Sequence, residues 1–254
     1  MKIKAIAFNT FKEAIKDRIL YLLLFFAAAS LVLSRLLALL TVGDRVKIVT
    51  DVGLAALSFL GALMAILIGT GLVYKEIDKK TIYTLLAKPI HRFQFILGKF
   101  FGLVMTLGVM LSLMTAVFLG VNFLHTFRLD WAILVAVLLI FVELSLITSV
   151  AILFSTFSTP ILSSIFTLAF FLIGHFSWGF ETLIQKMHSG FPKFLVQVFY
   201  TLLPDLENFN LKTEIVHHLP ISSEAIALAV LYGIVYTVFI LVLAVLVFRK
   251  KDFL

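Results

Sequence analysis

The chain has 254 residues, a formal net charge of +7 and no cysteine, and 62% of its residues are hydrophobic against 14% charged. Its mean hydropathy is +1.13, whereas a soluble domain of this size needs far more polar surface. The composition therefore predicts a membrane protein whose positive charge reflects its orientation rather than nucleic-acid binding. It excludes disulfides, thiol catalysis and cysteine-ligated metals.

The first predicted element is an amphipathic helix over residues 1–18. On a helical wheel, its apolar face carries Ile3, Ala7, Phe11, Ala14 and Ile15. We expect this helix to lie on the membrane surface as an elbow before the first span. The basic start, with Ala27-Ala28-Ala29 after it, also fits a signal peptide, but the apolar run continues to Leu40 and is long enough to span.

Six apolar windows follow, each close to the roughly 20 residues that a spanning helix needs. They cover residues 19–40, 52–73, 95–119, 131–154, 160–178 and 225–248. Because they fill more than half of the chain, we predict an all-α polytopic membrane protein with one transmembrane domain, residues 1–254. No separate soluble domain fits in the remainder.

The distribution of positive charge predicts the orientation. Fourteen of the 21 Lys and Arg residues lie before the first span, between the second and third spans or in the first turns of the third, or after the last span. The side richer in Lys and Arg is cytoplasmic. We therefore expect both termini in the cytoplasm of a cell inner or plasma membrane.

The segment from Tyr74 to Lys99, between the second and third spans, carries six of these charges. Asp78 is a suitable cap for a short helix over residues 79–87, and Pro89 would end that helix. A basic helix on the cytoplasmic side, at residues 74–94, predicts a surface that docks a cytosolic partner. The alternative is a solvated basic loop that contacts lipid headgroups.

Glu143 lies near the middle of the fourth window, between apolar neighbours. An ionisable group there costs about 2.5–3.5 kcal/mol on insertion scales, so it must face protein or water. It is either a pathway or coupling residue, or the partner in a hydrogen bond between helices. We favour the hydrogen bond and predict that Glu143 faces neighbouring helices.

Residues 179–224 form the longest predicted external loop. The apolar stretch Phe191–Tyr200 predicts short helices at the outer membrane surface, and Pro204 and Pro220 interrupt the loop. The loop contains His188, His217 and His218, with Glu214 nearby. Their spacing is not that of the HExxH zinc motif, so we interpret the histidines as exposed loop residues rather than metal ligands.

Motifs of enzyme chemistry are missing from the sequence. Gly98-Lys99 is the only Gly-Lys pair, and a phosphate-binding loop would need Gly at position 93 and Ser or Thr at position 100, where both residues are Phe. The sequence contains neither GxSxG nor HExxH. We predict a protein that is not itself an enzyme and binds no cofactor or metal.

Two segments resemble elements of ABC type-2 export permeases. The first begins with a Glu after the second span and continues with a Leu-Leu step, a Pro and a Gly-Lys pair. These elements are Glu76, Thr81–Leu86, Ala87-Lys88-Pro89 and Gly98-Lys99. Lys80 stands where these permeases usually have Gly. The second is Leu202–Phe209, ahead of the last span. The subgroup that the chain most resembles includes the permease for maturation of nitrous-oxide reductase. The resemblance covers the whole chain and implies the type V exporter fold with six spans.

The resemblance implies a pair of six-span subunits, each docked on a cytosolic ABC ATPase that binds ATP and Mg²⁺. The second subunit would be identical or similar. The loop between spans two and three would couple ATP hydrolysis to transport through Glu76, Asp78, Lys79, Lys80, Thr81, Tyr83, Leu85 and Pro89. The turn Ser155–Pro160 would make a lesser contact.

The resemblance also implies that spans two and five line the transport path. In the second span we expect a flat wall of small residues, with polar neighbours: Ser58, Gly61, Met64, Ala65, Gly69 and Thr70. The fifth span offers Ser163, Ser164, Thr167, Phe171 and His175. This mostly apolar surface predicts a lipid-like or amphipathic substrate.

Two other classes of function stay open. An ion- or proton-coupled carrier would use Glu143 as its proton group and would show inverted repeats. A membrane enzyme that acts on lipid would need polar groups at one depth. We place Glu143 and His175 roughly a bilayer leaflet apart, which disfavours the enzyme.

Overall fold

The structure is a computed structural model that describes residues 2–40, 45–78, 91–126, 131–176, 203–216 and 222–250. It also describes residues 179, 184, 186, 187, 190, 193, 196, 197 and 219. Within these residues all regular secondary structure is helical, which confirms the predicted all-α class. The predicted coupling residues from Lys79 to Pro89 and most of the stretch 191–200 lie outside the described residues, as do His188, His217 and His218.

The α-helices follow the chain as α1 (Lys2–Ile15), α2 (Arg18–Leu40), α3 (Arg45–Asp78), α4 (Arg92–Thr126), α5 (Trp131–Ser155), α6 (Pro160–His175), α7 (Lys212–Val216) and α8 (Ser223–Lys250). A 3₁₀ helix, Leu206–Phe209, precedes α7. Pro160 starts α6, a position where proline lacks only an amide hydrogen that the helix would not use.

Several helices are suited to cross a membrane. Among the described residues, α3, α4, α5 and α8 are each long and apolar enough, and α1 with α2 forms a further candidate pair bent by 63°. The remaining apolar helix, α6, has 16 residues and is therefore about 24 Å long, less than the ~30 Å of a bilayer core. The predicted membrane protein with several helical spans is confirmed, while six spans and the surface position of α1 stay predictions.

Small residues bring α1 against the start of α4. A Cβ added at Gly98 would lie 2.6 Å from Ile6, and one added at Gly102 would lie 2.5 Å from the carbonyl oxygen of Ala7. Gly98 and Gly102 are therefore required for this approach, as in GxxxG contacts of membrane helices. The buried Lys99 lies between them, with its Nζ 3.9 Å from Oε2 of Glu13 on α1.

The centre of the molecule is the contact between α3 and α5. A Cβ at Gly61 would lie 2.7 Å from Leu144, and one at Gly69 would lie 3.1 Å from Ala151. Because lipid supplies no hydrophobic force between helices, close packing of small residues stabilises such a pair. The α3 helix also contacts α2, α4 and α6, so it forms the axis around which the other helices pack.

The helices α3 and α4 extend beyond their predicted spans. The α3 helix continues through Tyr74 to Asp78, so these residues belong to its last turns rather than to a separate segment. At the start of α4, the Arg92 guanidinium donates hydrogen bonds to the carbonyl oxygens of Phe248 (2.8 Å) and Arg249 (2.7 Å) at the end of α8. A cation suits the unpaired carbonyls of a helix C-terminus, so this contact joins α4 to α8.

Replacement of Gly102 by Ala should weaken the α1–α4 contact. The added methyl group meets the backbone of Ala7, which cannot rotate away, and overpacking of this kind costs about 1–3 kcal/mol. We expect a lower midpoint of thermal unfolding in detergent, measured by the loss of the monodisperse peak after heating. The matched control is Gly120→Ala in the same helix, where an added Cβ meets nothing within 4 Å. Equal midpoints for the two variants would contradict the packing argument.

Candidate functional site

The most unusual buried group in the described structure is the Glu143 carboxylate in α5. Glu143 is 2% exposed, although the helix around it is almost entirely apolar. It faces α3 and α6 rather than lipid, as its insertion cost requires. Its Oε2 lies 3.4 Å from the Ser58 Oγ on α3, a long hydrogen bond. Its Oε1 lies 3.6 Å from Nε2 of His175 on α6.

The prediction that Glu143 and His175 lie roughly a leaflet apart is wrong. Both depths can be counted from the turn that joins α5 to α6. Glu143 lies 12 residues before Ser155, about 18 Å along the axis, and His175 lies 15 residues after Pro160, about 22 Å along the axis. Since α6 ends at His175, its last turn reaches the depth of Glu143 and brings the two side chains together.

A cavity of about 10 Å³ adjoins the carboxylate, which is close to the space that one water molecule requires. Its lining combines the polar groups of three helices with residues from the chain just before α8. The lining residues are Leu54, Ser58, Ala136, Ile140, Glu143, His175, Phe209, Asn210, Leu211 and Lys212. Lys212 therefore brings a positive charge to the cavity that contains the carboxylate, and no substrate-sized space is present there.

The 3₁₀ helix Leu206–Phe209 covers this cavity. Leu206 is 0% exposed and packs where Gly174 of α6 leaves space, and Phe209 is 1% exposed and packs against Gly233 of α8. In a 3₁₀ helix, residues three apart lie on the same side, so both side chains point inward. Phe209 thus borders the cavity and fits onto Gly233, while Leu206 fixes the same 3₁₀ helix onto Gly174.

Polar contacts hold the covering segment in place. The Asp205 carboxylate caps the 3₁₀ helix by accepting a hydrogen bond from the Glu207 amide (3.1 Å), while the Asp205 amide donates to the Tyr232 hydroxyl (2.9 Å). Asn210 Nδ2 donates to the Glu207 carboxylate at 2.6 Å. We refer to residues 205–212 as the cap segment. The resemblance of Leu202–Phe209 to permeases drew attention to this region, but the sequence did not reveal that Phe209 and Lys212 line the site.

The predicted pathway residues lie between helices of the same chain. Gly61 and Gly69 pack against α5, and Met64 and Ala65 are also buried. In the single chain α5 occupies the face that carries Gly61 and Gly69, and the flat wall of a path between two subunits stays a prediction.

The remaining pathway residues lie mainly on α6. Ser163, Thr167 and Phe171 are buried, and the Ser164 hydroxyl lies 2.8 Å from the Thr70 hydroxyl of α3. With Ser58 and His175, these residues form the α3–α6 side of the site. Apart from Glu143, His175 and Ser58, the structure does not bring the predicted pathway residues into one polar cluster.

The predicted coupling residues have no described side chains. Glu76 and Asp78 lie in the last turns of α3, and the other six lie beyond it, outside the described residues. Of the loop residues weighed as metal ligands, Glu214 is part of α7. The described residues contain no group of three or more His, Cys, Asp or Glu side chains that could hold a metal ion.

Comparison with known proteins gives one family match. A family model described as ABC-2 family transporter protein matches residues 4–253, which is nearly the whole chain. No curated protein is similar enough in sequence to be matched.

Replacement of Phe209 by Ala should open the cap segment. Loss of a buried phenyl ring costs about 3–5 kcal/mol, and it leaves a route for water to the Glu143 cavity. Because the chain has no cysteine, a single Ser58→Cys substitution provides a probe for water-soluble thiol reagents.

We expect faster labelling of Cys at position 58 when Phe209→Ala is added. Asn208→Ala is the control, because Asn208 lies on the exposed side of the same 3₁₀ helix. Equal labelling rates in the two variants, with both proteins folded, would show that the cap segment does not close the site.

Proposed function

The chain belongs to the ABC-2 transporter family, and on that premise we propose that it is an export permease driven by a separate cytosolic ATPase. It is a multi-pass membrane protein of a transporter, and the family match over residues 4–253 is the observation that carries the proposal. In this proposal the ATPase binds ATP and Mg²⁺, and the chain itself binds no cofactor. Both termini lie in the cytoplasm of a cell inner or plasma membrane.

We propose that the segment between α3 and α4 docks on the ATPase. Three contacts at the start of α4, directly after the segment, support this assignment, because they fix that end of the segment to the rest of the protein. Arg92 joins α4 to the end of α8, Lys99 lies 3.9 Å from Glu13 of α1, and Phe95 stacks on Phe248 with ring centroids 5.7 Å apart. A push on this end of the molecule would therefore move α1, α4 and α8 together.

The helix α3 offers a route from that end to the buried site. Ser58 lies 20 residues before Asp78, about 30 Å along one continuous helix. A displacement of α3 would change the 3.4 Å contact between Ser58 and Glu143 and the Thr70–Ser164 hydrogen bond to α6. In this mechanism, Glu143 and His175 hold the middle of α3 and of α5 against the end of α6 until α3 moves.

We propose that two subunits form the path, since the described helices of one chain pack closely around their own centre. The path would lie beside α3 and α6, and predicted pathway residues at that interface, such as Thr70, Ser164 and Phe171, would line it once α6 separates from α3. Exposed apolar side chains on α6, such as Ile161, Ile165 and Leu172, suit a lipid-like or amphipathic substrate. The six-span type V arrangement and the nitrous-oxide reductase maturation subgroup are further parts of this proposal.

A proton-coupled carrier is a second candidate, because a buried carboxylate and an imidazole only 3.6 Å apart could exchange a proton. The same pairing places two polar groups at one depth, as a lipid-modifying enzyme would need. The cavity beside them, however, has room for about one water molecule and none for a lipid. The family match favours the ATP-driven permease over both alternatives.

The docking proposal predicts that Tyr83→Asp with Leu85→Asp uncouples the complex. Two added carboxylates would place unpaired charge in the apolar part of the interface with the ATPase. We expect loss of ATPase co-purification and of ATP-dependent transport in proteoliposomes, with an unchanged midpoint of thermal unfolding. The matched control is Leu219→Asp, an exposed leucine on the opposite side of the protein. Normal binding and stimulation of the ATPase in the double variant would contradict the proposal.

Replacement of Glu143 distinguishes an ATP-driven permease from a proton-coupled carrier. Glu143→Gln keeps an acceptor for Ser58 and loses the exchangeable proton, so we expect a folded protein that still transports when ATP is supplied without a proton gradient. Transport by wild-type protein in a proton gradient without ATP, abolished by Glu143→Gln, would instead establish the carrier. His175→Gln should behave as Glu143→Gln in both assays.

A further inference from the structure

An open groove of about 1130 Å³ lies between α1 and the first half of α4. It is distinct from the Glu143 cavity and plays no part in the proposed transport mechanism. Its lining is mostly apolar, with two lysines, a histidine and a glutamine. The lining residues are Lys2, Ile3, Lys4, Ala7, Phe8, His91, Gln94, Phe101 and Met105.

The polar and apolar parts of the groove are separated along its length. His91 and Gln94 line it at the start of α4, whereas Met105 lies 14 residues beyond His91, about 21 Å along the helix axis. Phe101 and Met105 are 49% and 48% exposed, so the groove floor is apolar and open. A ligand that fits this groove has a polar end and a long apolar end.

The charge of the polar end points to an anionic ligand. Lys2 and Lys4 are exposed on the first turns of α1, and no Asp or Glu is among the lining residues. The Glu13 carboxylate lies near the other end of α1, next to Lys99. Lys12, beside Glu13, also lies toward that other end and is not part of the lining.

We propose that this groove binds an anionic phospholipid. The ammonium groups of Lys2 and Lys4 attract the headgroup, whose phosphate and negative charge find no carboxylate in the lining. An acyl chain lies along Phe8, Phe101 and Met105 toward the interior of the membrane. Lysine stems suit this place because their methylene groups cover apolar surface while the ammonium group reaches the headgroup region.

The bound lipid would join α1 to α4 at the surface where Gly98 and Gly102 already bring them together. This inference goes beyond the proposed function, since it concerns lipid binding by the chain itself and requires neither an ATPase nor transport. Its test can therefore fail while the export proposal stands, and the reverse also holds.

The test uses the full-length chain in bilayer nanodiscs of equimolar phosphatidylglycerol and phosphatidylcholine, followed by native mass spectrometry of the retained lipid. We expect wild-type protein to retain phosphatidylglycerol preferentially. Removal of positive charge by Lys2→Gln with Lys4→Gln should lower this preference, roughly fivefold for each lysine. The control, Lys16→Gln with Arg18→Gln, removes the same charge from exposed positions outside the groove and should keep the preference.

A second variant tests the apolar part of the groove. Met105→Trp fills the floor without a change of charge, so we expect less retention of both lipids. An unchanged phosphatidylglycerol preference in the double lysine variant, or an equal loss in its control, would overturn the proposal. A photoreactive side chain at position 101 should crosslink to lipid in cells, and crosslinking to a polypeptide instead would assign the groove to a protein partner.

Discussion

The close contact between α3 and α5 places the other functional elements of the structure. Gly61 and Gly69 let the two helices approach until side chains of α5 touch the α3 backbone. At this separation the Ser58 hydroxyl comes within 3.4 Å of the Glu143 carboxylate, and α6 can pack on the adjacent side of α3. A larger residue at Gly61 would separate the helices and leave the carboxylate without its neighbour. Steric fit thus comes first, and the polar contact depends on it.

The sequence alone predicted the features that depend on composition and on the free-energy cost of placing a charged group in the membrane. Hydropathy predicted helices that cross a membrane, and the insertion cost of a carboxylate predicted that Glu143 faces protein. The proximity of Glu143 and His175 could not be predicted in the same way, because it depends on where α6 ends and on how α6 is placed beside α5. A hydropathy window that extends to residue 178 conceals that end, whereas the helix stops at His175.

The cap segment shows a second limit of local sequence patterns. Leu206 and Phe209 have the spacing of a 3₁₀ helix with one apolar side, but the sequence does not tell which surface receives that side. Leu206 packs on Gly174 of α6, and Phe209 packs on Gly233 of α8. These two glycines lie before and after the cap segment in the chain. The function of these glycines appears only when three distant parts of the chain are brought together. For the coupling residues, the basic pattern between α3 and α4 remains the basis of the prediction.

The polar contacts of the molecule differ from one helix interface to another. At the proposed cytoplasmic end, α1 packs on Gly98 and Gly102, and Arg92 makes two hydrogen bonds to the end of α8. Between α3 and α6, the described polar contact is a single hydroxyl pair, Thr70 with Ser164, and bonds of this kind contribute about 0.6 kcal/mol on average in membrane proteins. In the proposed mechanism, a force applied at the contacts of α1, α4 and α8 would be relieved at the α3–α6 interface, where this weak bond is the described polar contact. The polar cluster of Ser58, Glu143 and His175 adjoins that interface, and other positions of α6 are exposed and apolar, which suits the proposal that a path opens there.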